Sequence, residues 1–119
     1  MTTQEIAERL VDYCRKGQFE QAQKELYADD AVSVEPDETS GFPKETVGLN
    51  NIIEKGNQFQ SMVDEMHGCT VGEPIVASNA IAFTLSMDMS MKGRGRSMME
   101  EICTYRIKNG KIIGEYFYY

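Results

Sequence analysis

The amino-acid sequence predicts an α+β fold, with helices in its first half and a sheet in its second that curls around them. Two observations carry that expectation. Apolar residues recur at i, i+3, i+4 and i+7 as far as about position 63, the spacing of an amphipathic helix. From position 69 onward they alternate with period two, as half-buried strands do. A chain of 119 residues has room for one domain of this kind, 1–119.

The elements follow in order. Thr2 and Glu5 stand at capping-box spacing, which satisfies two orphan amides at a helix start. Ile6, Leu10, Tyr13 and Cys14 then share one stripe, and Gly17 closes that helix. A second, shorter helix turns Phe19, Ala22 and Leu26 inward and Glu20, Gln21 and Lys24 outward. Tyr27-Ala28-Asp29-Asp30 reads as a turn, and 31–35 as a short strand stopped by Pro36. Residues 36–48, with Gly41 and Pro43, read as a loop that either covers a pocket or runs over the surface. The third helix spans about 49–63, with Leu49, Ile52, Ile53, Gly56, Phe59 and Val63 inward, and Gly56 points to a close backbone approach.

Four strands are expected after it. The first, 69–77, is interrupted by Gly72 and Pro74; the second, 80–91, places Ile81, Phe83, Leu85, Met87, Met89 and Met91 on one side. A turn at 92–96, a strand at 97–107, a tight Lys108-Asn109-Gly110 hairpin and a last strand at 111–119 complete an antiparallel meander. If Lys92 pairs with Arg96, then Met89 faces Met99, Met87 faces Glu101, Leu85 faces Cys103 and Phe83 faces Tyr105. That face carries one charge, Glu101. An ionised carboxyl among methionines is expensive unless paired or protonated, so Glu101 reads as a general acid or base, or as a polar anchor for a ligand. The last strand has two registers. A two-residue Asn-Gly turn points Tyr116 and Tyr118 inward; a three-residue loop with a glycine bulge points Glu115, Phe117 and Tyr119 inward.

Composition excludes several functions. The net charge is −7, from 19 acidic and 12 basic residues, and the one basic cluster, Lys92, Arg94 and Arg96, reads as a hairpin tip. Neither nucleic acid nor an anionic membrane is an expected partner. No apolar run reaches the roughly 18–20 residues that span a bilayer, and no secretory leader is visible. Cys14, Cys69 and Cys103 form no CxxC pair, zinc pattern or disulfide framework, so a cytoplasmic location is expected. Phosphate-loop, dinucleotide and HExxH motifs are absent, and the alternating methionines make no compact ligand set, so neither cofactor nor metal is expected.

The run Leu26-Tyr27-Ala28-Asp29-Asp30-Ala31-Val32-Ser33-Val34-Glu35-Pro36, then Gly48 before Ile52-Ile53, then long strands closed by Asn109-Gly110-Lys111-Ile112, resembles the nuclear transport factor 2-like superfamily. Within it the chain is most similar to SnoaL-like and ketosteroid isomerase-like domains, over nearly its whole length. The resemblance implies a cone-shaped roll, three N-terminal helices packed on a strongly curved mixed or antiparallel sheet. It implies a deep pocket for a small hydrophobic or polycyclic molecule, and a homodimer formed through the outer sheet face. It favours the second register of the last strand. In ketosteroid isomerases an acidic residue before a proline on the first strand moves the proton, and Glu35 stands there; the other two functional positions fall near Leu10 or Val11 and on Cys103. In SnoaL-type cyclases a carboxylate on a long strand works beside a His, which by analogy implies Glu101 and His67. The implied pocket takes Tyr13 from the first helix, Phe59 and Val63 from the third, and Phe83, Leu85, Met87, Met99, Cys103 and Tyr105 from the long strands. Phe117 and Tyr119 close it. The expected function is a small-molecule pocket protein, either an isomerase or cyclase with a carboxylate base next to a carbonyl, or a non-catalytic binding or dimerisation module.

Overall fold

The computed structural model describes residues 1–38 and 41–119; Thr39 and Ser40, within the expected 36–48 loop, lie outside the described residues. Among the described residues the order is α1 (Thr3–Arg15), α2 (Phe19–Leu26), β1 (Tyr27–Val34), β2 (Glu45–Val47), α3 (Leu49–Ser61), β3 (Val63–Val71), β4 (Ile75–Val76), β5 (Ala80–Met91), β6 (Gly95–Lys108) and β7 (Lys111–Tyr118). The strands form one unclosed mixed sheet in the order β2-β1-β7-β6-β5-β3, with β4 beside β5. This is the α+β roll expected: three helices lie against one curved sheet. Among the described residues no helix is long and apolar enough to cross a membrane.

The capping box forms as the sequence predicts. Thr2 Oγ1 accepts from the Glu5 amide at 3.1 Å, and Glu5 Oε1 accepts from the Thr2 amide at 2.9 Å. The stripe of α1 then buries Ile6, Ala7, Leu10, Val11 and Cys14 against the sheet. Buried Ala22 and Leu26 dock α2 beside it, and buried Ile52 seats α3.

Several expected boundaries move, each for a physical reason. Tyr27–Val34 is strand throughout, because pairing with β7 extends Tyr27 and a register break before Val32 absorbs Ala28-Asp29-Asp30. Glu45–Val47, expected in a loop, pairs with Val32–Val34 as an edge strand. The third helix stops at Ser61; Val63 instead opens β3, opposite Met91. Residues 63–68 thus belong to a strand, and Pro74, which lacks a ladder N–H, leaves Ile75–Val76 as a separate piece. Gly56 makes no close backbone approach: a Cβ there would meet nothing within 4 Å.

The long hairpin is shifted by two residues. Met91 pairs with Gly95, Met87 with Met99, Leu85 with Glu101 and Phe83 with Cys103. The connection is Lys92-Gly93-Arg94, with Gly93 and Gly95 both at φ +76°, a backbone that favours glycine. A shift of two preserves which side chains share a face, so Glu101 still stands with Leu85, Met87 and Cys103. The last hairpin combines both alternatives. Asn109 (φ 52°) and Gly110 (φ 73°) make a two-residue turn, and an extra residue at Ile113 then offsets the ladder, so that Tyr105 faces Glu115 and Cys103 faces Phe117. Bulges in β1, β3 and β7 sharpen the bend of the sheet.

At Gly110 a Cβ would adopt an unfavourable left-handed backbone and come 3.3 Å from the Met1 carbonyl oxygen. Gly110→Ala should therefore lower stability by about 1–2 kcal/mol. Urea unfolding checks this: the midpoint should fall with an unchanged slope, and an unchanged midpoint contradicts the turn assigned here.

Candidate functional site

The concave face of the sheet, α2 and α3 enclose a cavity of about 490 Å³. Leu10 and Cys14 of α1 line it, with Phe59 of α3 and Leu85, Met87 and Phe117 of the sheet. Gly56 also lines it, so the missing side chain leaves open space where the sequence predicts a close backbone approach. Phe42, from the segment after Pro36, contributes an aromatic side chain.

Among the described residues four carboxylates line this cavity; Glu20 is exposed on α2 and paired with Lys24, and the other three each have a different environment. Glu115 is 4% exposed. Parallel pairing sets it directly beside Ser33, and it accepts hydrogen bonds from the Tyr27 hydroxyl and, at 2.6 Å, from Ser33 Oγ. Burial pushes its pKa up, and the two hydroxyl donors oppose that shift. Glu35 follows β1. Its Oε1 lies 3.2 Å from Lys55 Nζ and its Oε2 accepts from the Tyr119 hydroxyl at 3.0 Å. Lys55 also donates to Ser33 Oγ at 2.6 Å, so a continuous chain of hydrogen bonds runs Tyr27–Glu115–Ser33–Lys55–Glu35–Tyr119.

Glu101 lies outside that chain. Its one hydrogen-bond donor among the described residues is a weak one, Cys103 Sγ at 3.5 Å. Burial is the largest influence on its carboxyl and raises the pKa to about 7. The Cys103 thiol opposes the rise, the charges of Glu35 and Glu115 add to it, and Lys55 opposes it. At neutral pH such a group holds a proton about half the time, the condition under which a side chain both accepts and returns protons.

The expected site residues divide into three groups. Glu35, Glu101, Phe59, Leu85, Met87, Tyr105 and Phe117 line the cavity. Phe83 and Cys103 are buried behind its wall, with Phe83 stacked on Tyr105 at 5.4 Å between ring centroids; Val63 and Met99 pack against the same core and are not part of the wall. Tyr13 lies on another surface, over Arg9, and Tyr119 is exposed and reaches the site through Glu35. His67 is not brought to the cavity. Set in a bulge of β3, it bonds Ser90 Oγ at 2.7 Å on the outer face, with Glu65 3.5 Å away. Among the described residues no group of three or more His, Cys, Asp or Glu gathers to hold a metal.

Sequence reasoning missed Lys55, Ser33 and Tyr27 as site residues. The signal for Lys55 was its spacing, three after Ile52 and four before Phe59, on the inward stripe of α3.

A family model described as SnoaL-like domain matches residues 1–119. A proposed SnoaL-like polyketide cyclase from Mesorhizobium loti is 33% identical, with each chain covered over 100% of its length and a TM-score of 0.92. A protein with a cystatin-like fold from Xanthomonas campestris (15% identity, 99% of this chain and 90% of that one, TM-score 0.82) shares the fold. So does a proposed isomerase from Bacillus subtilis (15% identity, 98% and 84%, TM-score 0.76). None of the curated proteins compared matches the chain.

The Glu101 environment makes stability depend on pH. Its carboxyl holds a proton in the folded state up to about pH 7, whereas the unfolded chain releases it near the ordinary value of 4.5. The stability it contributes is fully present below the unfolded pKa and is lost as pH rises through about 7. Glu101→Gln should therefore be more stable than the wild type at pH 8, by up to about 3 kcal/mol, with the difference vanishing near pH 4.5. Urea midpoints across that range, with carboxyl NMR titration of Glu101, test the assignment; a pH-independent difference contradicts it.

Proposed function

The chain belongs to the SnoaL-like domain family, and from that premise we propose that it binds a small, mostly apolar carbonyl compound in its cavity and moves a proton on it, with Glu101 as general base. The single observation that carries this reading is a carboxyl with a pKa of about 7 on the wall of an apolar cavity, beside Leu85, Met87 and Tyr105. A volume of about 490 Å³ is within the range of small-molecule sites, and Phe59, Tyr105 and Phe117 suit a flat, carbon-rich ligand.

The step balances without a cofactor. Glu101 takes a proton from the carbon next to the carbonyl; the C–H electron pair becomes a C=C bond and the carbonyl π pair moves onto oxygen. Return of the proton to another carbon gives isomerisation, and attack of the enolate carbon on a second carbonyl gives cyclisation. The names of the Mesorhizobium loti and Bacillus subtilis proteins refer to reactions of these two kinds. Glu35, the base that the ketosteroid isomerase resemblance implies, is less suited, because both its oxygens are already bonded, to Lys55 and Tyr119.

The outer sheet face supports a second copy of the chain as partner. Met98, Ile102 and Tyr118 are 60%, 49% and 55% exposed, and Ile102 and Tyr118 pair across β6 and β7. Exposed apolar area of this kind marks contact surfaces. The free cysteines among the described residues suit a reducing compartment, the cytoplasm.

Two measurements test these readings. In D₂O the wild type should accelerate deuterium uptake at the activated CH₂ of 2-tetralone, with a rate that rises through a midpoint near pH 7. Glu101→Gln should slow that exchange by about 10²-fold or more. An equal rate in the variant removes Glu101 as base, and tetralone binding without exchange makes the chain a receptor. For the oligomer, light scattering should give a dimer for the wild type and a folded monomer for Ile102→Glu; a monomeric wild type ends the dimer proposal.

A further inference from the structure

Lys55 is the one basic side chain on the cavity wall among the described residues, and the proton transfer above does not use it. It stands in the middle of α3 with its side chain 13% exposed. Its ammonium donates to Ser33 Oγ at 2.6 Å and to Glu35 Oε1 at 3.2 Å. An ammonium has three N–H bonds, so one remains for a molecule in the cavity. Both anchors are themselves held, Glu35 by Tyr119 and Ser33 by Glu115, which sets the nitrogen from two sides. The ring of Phe117, 5.7 Å away at its centroid, adds a flat wall beside it. The charge of Lys55 also acts on Glu101, so base and cation address one space.

We propose that Lys55 receives the ligand's carbonyl oxygen and stabilises the negative charge that gathers there, which makes the substrate class enolisable ketones and related carbonyl compounds. The inference rests on the acid/base reading of Glu101. When Glu101 takes the proton, the total charge of the cavity does not change; one negative charge moves from its carboxyl to the substrate oxygen. In a cavity that also holds Glu35 and Glu115, that charge needs a positive partner, and a fixed ammonium in a desolvated site supplies it without reorganising.

The test uses 4-nitrophenol, whose phenolate oxygen stands in for the enolate and absorbs visible light only when ionised. Bound to the wild type, the dye should be more ionised than free dye at the same pH. Lys55→Met should bind the phenolate about tenfold or more weakly, the worth of one charge-assisted hydrogen bond, while Lys55→Arg keeps most of the affinity. A bound dye less ionised than free dye in the wild type overturns the proposal, and that measurement needs no variant. Equal ionisation in the wild type and in folded Lys55→Met overturns it as well, as does a wild type that takes up no dye at millimolar concentration. Deuterium exchange on 2-tetralone separates this proposal from the one it rests on. Exchange that needs Glu101, with dye ionisation indifferent to Lys55, keeps the base and discards the oxygen site. Dye behaviour as expected, with exchange indifferent to Glu101→Gln, does the reverse.

Discussion

A buried carboxylate at a parallel strand seam organises this molecule. Glu115 of β7 lies directly beside Ser33 of β1 and is 4% exposed, so leaving it without donors would cost several kcal/mol. Its donors come from β1, through Tyr27 and Ser33, and Ser33 is tied in turn to Lys55 of α3. The first strand, the last strand and the third helix, distant in sequence, are thereby held in one arrangement. The extra residue at Ile113 is part of the same device. Without it the face of β7 would invert, Tyr116 would point inward and Glu115 would point to solvent.

The same arrangement decides what the cavity can contain. Packing a core solidly requires apolar side chains on every facing position. Here β1 reverses that pattern: Ala31 and Ser33 are fully buried, while the β-branched Val32 and Val34 lie on the half-buried outer side. On the cavity wall, Gly56 of α3 leaves space instead of filling it. Stability is carried by the apolar residues away from the wall, among them Ile6, Leu26, Ile81 and Ile112, all nearly inaccessible. The fold thus separates a packed region, which holds the sheet to α1 and α2, from an open cavity.

What the sequence showed of this follows from which signals survive error. The change from helical to alternating spacing located three helices and the long strands, because burial on one face imposes those periods whatever the neighbours are. Glu101 was legible as an inward carboxylate for a similar reason: the hairpin register was displaced by two residues, and a displacement of two leaves every side chain on its own face. Lys55 carried a local signal in its spacing on α3, but the role of Ser33 and Tyr27 was not legible. Their meeting with Glu115 depends on a parallel contact between β1 and β7, across some eighty residues of chain, which no local pattern encodes. In β1 the alternation even pointed the other way, since the valines there face outward. His67 went astray because residues 63–68 extend along β5 instead of ending a helix, and a bulge then turned the imidazole to the outer face.

Glu35, Glu101 and Glu115 show why residue type alone could not assign their roles. Glu115 has two hydroxyl donors, which oppose the rise that burial imposes on its pKa, and Glu35 is bonded to an ammonium and a phenol. Glu101, among the described residues, has burial and one weak thiol donor, and its charged and neutral forms are close in energy at neutral pH. Groups of the same chemistry in different environments differ in proton affinity. The environment of Glu101 is set in part by these neighbours. The charges of Glu35 and Glu115 add to the rise that burial imposes on its pKa, and the Cys103 thiol and Lys55 oppose it.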